Sequence, residues 1–365
     1  MVTSPTASAP RDPSALTARV VRAVDAFRRG APVIITSGRD RIEAVAVETV
    51  RQADLDRLAA PVAQLLTHAR AKTLKIRLYT PDVVAIAPDL PLDRAKLLAI
   101  ADPTFDLATP IKGPFETHRE PVSPADSDAI KLAKLAGLLP SVLLMAPAKA
   151  PRGTVRLSAS DIAAYETAAL HSLAIVTRAR VPLEDAEHSE LIAFRAHDGA
   201  PEHYAILIGD PPRNAPVLTR LHSECFTGDL LGSLKCDCGP QLRGAIATIA
   251  AAGGGVVLYL AQEGRGIGLV NKLRAYALQD QGFDTLDANL RLGFGADERL
   301  YGVAARMLEL LGFRAVRLMT NNPDKVQSLA SAGIDVVERV PHAFPENIHN
   351  RAYLETKAKR AGHLL

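Results

Sequence analysis

Residues 255–280, GVVLYLAQEGRGIGLVNKLRAYALQD, decide how the chain is read. GVVLYL is a short apolar run that fits a strand, EGRGIG is a glycine-rich turn, and VNKLRAYALQD fits a helix. A strand passed through a turn to a helix is the repeating unit of an α/β sheet. The rhythm continues downstream: a helix over DERLYGVAARMLELLG, a strand at AVRLMT, a helix at DKVQSLASAG and a strand at IDVVERV. In the first of these helices Leu300, Val303, Ala304, Met307 and Leu311 share one face, with Gly312 as the stop. Upstream, LIAFRA and HYAILIGD alternate as antiparallel strands do.

A second α/β unit precedes this one. LTARVVRAVDAFRRGAPVIIT reads as a helix, a stop at Gly30 and a strand over 33–36. DAIKLAKLAGLLPSVLLMA gives another helix and strand, and SASDIAAYETAALHSLAIV a third, with Ser158 or Ser160 as its cap. The expected fold class is α/β in two domains, each a mixed sheet with flanking helices. A polar tail over residues 1–14, rich in Pro, Ser, Thr and Ala, is expected to be disordered. The first domain is expected over 15–185 and the second over 186–365, the charged stretch TRARVPLEDAEHSE leading from one to the other.

Bulk properties narrow the function. A net charge of +3 over 365 residues argues against a dedicated nucleic-acid surface but not against one anionic ligand. No apolar run approaches the ~20 residues that cross a bilayer, and no apolar core follows a basic start at the N-terminus. Three cysteines, an odd number, argue against a disulfide scaffold and for a reducing compartment, so the cytoplasm is expected.

All three cysteines fall in CFTGDLLGSLKCDCG, as Cys225, Cys236 and Cys238 in the pattern C-x10-C-x-C. Three thiolates suit zinc with one tetrahedral position left for water, whereas a structural site closes with four ligands. In a strand Cys236 and Cys238 would face the same side, and Gly228, Gly232 and Gly239 allow tight folding around an ion. His222 could complete a closed structural site, and simple burial of small apolar thiols is the bland alternative.

RLHSECFTGDLLGSLKCDCGPQL resembles the signature of GTP cyclohydrolase II, a zinc enzyme that opens the guanine ring of GTP at the start of riboflavin synthesis. QEGRGIGLVNKLRAYALQDQGFDTLDAN, LGFGADER, LMTNNPDKV and ETKAKRAGHLL resemble the same family in the same order, across about residues 190–365. The resemblance implies that Cys225, Cys236 and Cys238 hold one zinc ion per subunit, which activates water for attack at C8 with release of formate. It implies Mg²⁺ with the GTP phosphates for loss of pyrophosphate, and a homodimer without nucleic-acid or membrane partners.

The resemblance also assigns substrate-binding positions: Arg220, Leu221, His222, Ser223 and Glu224 in RLHSE, then Gln241, Glu263, Gly264, Arg265, Thr285, Thr320 and Lys325. A carboxylate such as Glu263 can accept from guanine N1 and its amino group, and Arg265 suits a phosphate. EGRGIG itself matches neither G-x-x-x-x-G-K-[ST] nor G-x-G-x-x-G. Asn322 and Pro323 read as N-cap and first helical residue, placing Lys325 in a first turn where a bound anion would offset its unfavourable charge; a solvated surface lysine is the alternative. Tyr276 matches the family tyrosine beside the reacting purine. Asp297 and Arg299 match the proton acceptor and nucleophile, as catalytic residues with Tyr276. A guanidinium with a pKa above ~12 is a poor nucleophile, which favours a clamp on the α-phosphate for Arg299. Asp297 also suits the N-cap of the helix that follows.

The N-terminal unit resembles 3,4-dihydroxy-2-butanone 4-phosphate synthase in its apolar framework, through AVDAFRRGAPVIIT, AIKLAKLAGLLP and HSLAIV. Its chemistry is missing. GRDRIEAVA places Ile42 where that family has a metal-binding Glu and Ala46 where it has a substrate-binding Asp; PADS places Ala125 at a metal-binding His. A magnesium site needs oxygen ligands, so synthase activity is expected to be lost. The alternatives to the cyclohydrolase reading are a paralogue with another nucleotide substrate or a formamide product, and a non-catalytic nucleotide sensor.

Overall fold

The structure, a computed structural model, describes residues 13–58, 61–146 and 153–345. Most of the expected tail and the ETKAKRAGHLL segment lie outside these. Residues 13 and 14 already belong to the first helix, so the tail expectation runs two positions too far.

The first sheet contains β1 (Val33–Ser37), β2 (Asp40–Ala46), β3 (Pro61–Thr67), β4 (Val83–Ile86), β5 (Ser141–Met145) and β6 (Val155–Ser158), in the order β4-β3-β5-β2-β1-β6. Only the β1–β6 pair is parallel. Its helices are α1 (Pro13–Arg28), α2 (Gln52–Leu55), α3 (His68–Thr73), α4 (Arg94–Ala101), α5 (Asp126–Leu135) and α6 (Ala159–Ser172). Ser158 caps α6: its side chain accepts from the Asp161 amide while Asp161 accepts from the Ser158 amide, an arrangement worth about 1 kcal/mol.

The second sheet contains β7 (Ala174–Arg180), β8 (Ser189–Arg195), β9 (His203–Ile208), β10 (Val217–Ser223), β11 (Gly255–Leu260), β12 (Ala315–Met319) and β13 (Asp335–Val340), in the order β13-β12-β10-β11-β9-β8-β7. The β13-β12-β10-β11 half is parallel and the rest antiparallel. The helices are α7 (Cys238–Ala251), α8 (Leu269–Asp280), α9 (Thr285–Arg291), α10 (Gly302–Leu310) and α11 (Pro323–Ser331). Both units are thus mixed sheets with flanking helices. No helix among the described residues is long and apolar enough to cross a membrane.

Two expectations need correction. The sequence places HSLAIV in the first unit, but its strand is β7, which pairs with β8, so the second sheet begins before residue 185. DERLY is not helical: α10 starts at Gly302, and the exposed Leu300 lies outside it. Local polar bonds hold the preceding segment extended. The Glu298 amide donates to the Arg265 carbonyl at 3.0 Å, and the Asp297 side chain accepts from the Arg299 amide at 3.1 Å.

Alternation sorts the central strands of the second sheet into two cores. Val256 and Leu258 of β11 join one apolar cluster with Met307 and Phe313, while Val257 joins another with Ala245 and Ile249 of α7. A third cluster is shared between the two units: Val45, Val47, Leu139 and Leu143 from the first pack with Ile267, Ala275, Leu278, Ala288 and Phe294 from the second.

Candidate active site

The loops after β10, β11 and β12 open side by side at the carboxyl ends of parallel strands, where β11 and β12 flank β10 on opposite sides. Ligands of α/β sheets bind at such a point. The cleft there encloses about 1140 Å³ including its mouth.

Cys225 follows β10 and heads a π-helical turn, Phe226–Leu230. Cys236 lies in the following loop and Cys238 is the first residue of α7, so neither is in the strand that the spacing suggested. They converge all the same: the three Sγ atoms lie within 4.8 Å of one another, and those of Cys225 and Cys236 are 3.7 Å apart. Gly228 closes the cradle. A Cβ there would stand 2.7 Å from Cys236 Sγ and 3.0 Å from Cys225 Sγ, while its amide donates to Cys225 Sγ at 3.3 Å. Three soft donors around a packed glycine fit a zinc ion. Among the described residues no histidine or carboxylate joins the group. His222 turns its Nε2 to Asp229 at 3.0 Å, and Asp229 is held in turn by Tyr259 and by the Cys225 amide, each at 3.0 Å.

Lys272 sits against this cluster. Its Nζ lies 3.0 Å from Cys225 Sγ and 2.7 Å from Glu263 Oε1. Burial disfavours its charge, but Glu263 and Cys225 outweigh that and raise its pKa. Hydrogen bonds from Cys236 and Cys238 hold the Cys225 thiol well below the ordinary thiol range, with Lys272 adding to them, while Cys236 and Cys238 are pushed up by sharing that charge. Tyr276, one helical turn beyond Lys272, bonds Thr227 Oγ1 at 3.3 Å, and burial pushes its phenol up to about 12.

The cleft wall gathers most of the expected binding residues: Arg220, His222, Ser223, Glu224, Gln241, Glu263, Gly264, Arg265, Thr285, Thr320 and Lys325 all line it, as do the cysteines, Tyr276 and Arg299. Leu221 and Asp297 do not. The Leu221 side chain is buried in the apolar core, and its carbonyl accepts from Lys325 Nζ at 3.1 Å. Lys325 is therefore a buried cation rather than a solvated one. Asn322 caps α11 and Pro323 follows, as the sequence indicated.

Polar groups in the wall lack protein partners. Arg220 donates to the Met319 carbonyl at 2.9 Å and to Gln241, yet its buried Nε has no acceptor; burial lowers its pKa to about 10. His222 Nδ1 and Ser223 Oγ are likewise buried without a partner. Such groups are rare in folded proteins and mark places where a ligand completes the bonding. Glu263 is largely committed, since Oε1 accepts from Lys272 and the Gly264 amide and Oε2 from the Phe226 amide at 2.6 Å. Burial, then Glu263 and Asp229, raise the pKa of neighbouring Glu224.

The turn after β11 is tight. Gly264 and Arg265 both adopt left-handed backbone, at φ 64° and 62°, which only the first does without strain. Beyond the cleft wall, Asp297 grips Arg299 at 2.8 and 2.5 Å. Burial pushes Asp297 up, but the hydrogen bonds and charge of Arg299 outweigh it and hold the carboxyl below its ordinary value. The N-cap reading of Asp297 fails, because α10 has Tyr301 in that position.

A "GTP cyclohydrolase-2" of Azospirillum brasilense is 51% identical over 378 residues, covering 99% of this chain and 97% of that relative. The chain belongs to the GTP cyclohydrolase II family. The family's sequence model, GTP cyclohydrolase II, matches residues 174–341, which is β7 to the loop after β13. The "GTP cyclohydrolase-2" of Actinobacillus succinogenes is 55% identical over 190 residues, 52% of this chain and 87% of its own length. A solved two-domain 3,4-dihydroxy-2-butanone 4-phosphate synthase from A. baumannii aligns over 89% of this chain and 100% of its own at 18% identity and a TM-score of 0.32, too low to carry an argument.

Sequence reasoning missed several residues of this cleft, chiefly Lys272, Lys235, Asn289 and His342. Lys272 had a signal: it lies four residues before Tyr276, on the same helix face. His342 had none, coming from beyond β13 to bond the Gln241 carbonyl at 2.9 Å.

Proposed function

We propose that this cleft binds GTP, opens its imidazole ring and releases formate and pyrophosphate, with zinc on Cys225, Cys236 and Cys238, as the entry step to riboflavin. One observation carries the reading: the three thiols converge within 4.8 Å on the wall of a cleft whose buried cations and orphaned donors await an anionic, hydrogen-bonding ligand. When bound, zinc supplies Lewis acidity that acidifies water at neutral pH.

The chain's own groups do the rest. Lys272 holds Glu263 and Cys225 in register. Tyr276, protonated at neutral pH, donates toward the purine. Glu224 accepts from the guanine amino edge, with the remaining site on Glu263 Oε2 beside it. Arg265, Arg299 and Lys325 neutralise the triphosphate with Mg²⁺. Arg299 is the α-phosphate clamp. Its bidentate carboxylate makes deprotonation harder still, and a carboxyl held low makes Asp297 an orienting group rather than a base.

The unit around the first sheet is inactive as a synthase: Ile42, Ala46 and Ala125, at the expected ligand positions, are all buried in one apolar cluster. A homodimer is supported by exposed Phe226, Leu230, Leu231 and Leu234 within one loop, and a cytoplasmic site by the three unpaired thiols.

The test is the full chain with zinc, GTP and Mg²⁺. Formate, pyrophosphate and a diaminopyrimidinone ribosylamino phosphate are expected. Zinc-loaded protein that yields no formate overturns the reading, and a formamide product would mark a paralogue that stops early.

A further inference from the structure

Helix α8 serves two sites at once. Lys272, Tyr276 and Gln279 line the cleft. Asn271, Arg274 and Leu278, on the neighbouring stripe, meet the unit around the first sheet. Arg274 donates to Glu48 at 2.9 Å, to Asp102 at 3.1 Å and to Asn271 at 2.7 Å, and the fully buried Asn271 donates to the Gly137 carbonyl at 3.1 Å. The far end of α8 is tied by Gln281 to the Thr104 carbonyl at 2.9 Å.

A second tie reaches the segment that carries Arg299. Lys134 of α5 bonds Glu298 at 2.6 Å, and Glu298 stands between Asp297 and Arg299. The same carboxylate accepts from the Gly295 amide at 2.6 Å, and the Glu298 amide holds the Arg265 carbonyl. Gly266 admits this contact, since a Cβ there would come within 2.8 Å of the Glu298 carbonyl oxygen.

We infer that Glu48, Asp102 and Lys134 are positioning residues for the cyclohydrolase reaction, fixing α8 and the 295–299 loop from outside the catalytic unit; this rests on the function proposed above. Apolar contact alone cannot set the register, because burial is non-directional and lets a helix slide or rotate. The paired ions can. The Arg274 and Glu48 side chains keep only 19% and 14% of their exposure, so this is no loosely solvated surface pair. A helix out of place by ~1 Å is enough to cost up to about a hundredfold in rate.

The experiment uses the full chain with two sets of substitutions. Glu48→Gln with Asp102→Asn retains the acceptors for the Leu139 and Thr104 amides but removes the charges facing Arg274. Lys134→Met removes the second tie. Each set is expected to lower kcat about tenfold while KM for GTP and bound zinc stay within about twofold, with faster hydrogen exchange confined to α8 or residues 295–299. Lys134→Arg is expected to restore most of the rate. Unchanged kcat in both sets, or equal losses for Lys134→Arg and Lys134→Met, overturns the inference while leaving the proposed function standing. A wild-type chain without turnover overturns the proposed function instead.

Discussion

The two sheets of this molecule are built alike and finished differently. Around the first, Ile42, Ala46 and Ala125, where the sequence leads us to expect that a synthase-like site has lost its ligands, are buried and apolar. Around the second, β10 and α11 hold Arg220, His222 and Lys325 buried, and polar atoms of the first two lack protein partners. Both regions leave some buried polar atoms without a protein partner, Gln64 Oε1 and Asp126 Oδ1 in the first among them; in the second, those of Arg220, His222 and Ser223 gather on one cleft wall beside three thiols. A site is recognisable because its groups are poorly served by the fold alone.

The sharpest way to break this contrast is Cys236→Ser. Formate release is expected to fall below detection and bound zinc to drop well under one per chain by metal analysis, with the first unit unaffected. Next comes the reverse experiment, Ile42→Glu, which puts a carboxylate into an apolar cluster with no partner. A loss of about 3 kcal/mol or more in urea unfolding is expected, without any gain of turnover on ribulose 5-phosphate. A charge tolerated there would mean that water reaches this cluster.

Gly228→Ala is expected to be milder. Its methyl crowds two thiols, so zinc affinity and kcat should drop together by about 10-fold to 100-fold, for an overpacking strain of about 1–3 kcal/mol. Calorimetric zinc titration would read this, and normal affinity would show that the cradle yields. The smallest effect is a pH dependence. Burial, then Arg220, lowers the His342 pKa from 6.5 to about 4. Between those values the unfolded chain holds a proton that the folded chain lacks, so stability falls as pH drops through this window and levels off below it. His222 shifts in the same direction, mainly through burial. Urea midpoints from pH 7 to 4 should show the decline, and His342→Gln should flatten it.

Much of this was legible in the sequence, for local reasons. GVVLYL, AVRLMT and the α8 stretch carry their period within a dozen residues, and Asn322-Pro323 announces a helix start chemically. The cysteines were legible as a cluster though not in their local structure, since convergence came from a π-helical turn and a helix start rather than a strand. Asp297 misled because a good N-cap residue was already engaged by Arg299 two positions on. Arg274 with Glu48 was out of reach: 226 residues separate them, and nothing local marks either one.

The backbone at Arg265 has a consequence for engineering. A left-handed arginine strains the chain by roughly 1 kcal/mol, which glycine would relieve. Breeding this molecule for heat tolerance alone would therefore favour swapping out a cation at the mouth of the cleft. Hardiness and chemistry pull on that one turn in opposite directions.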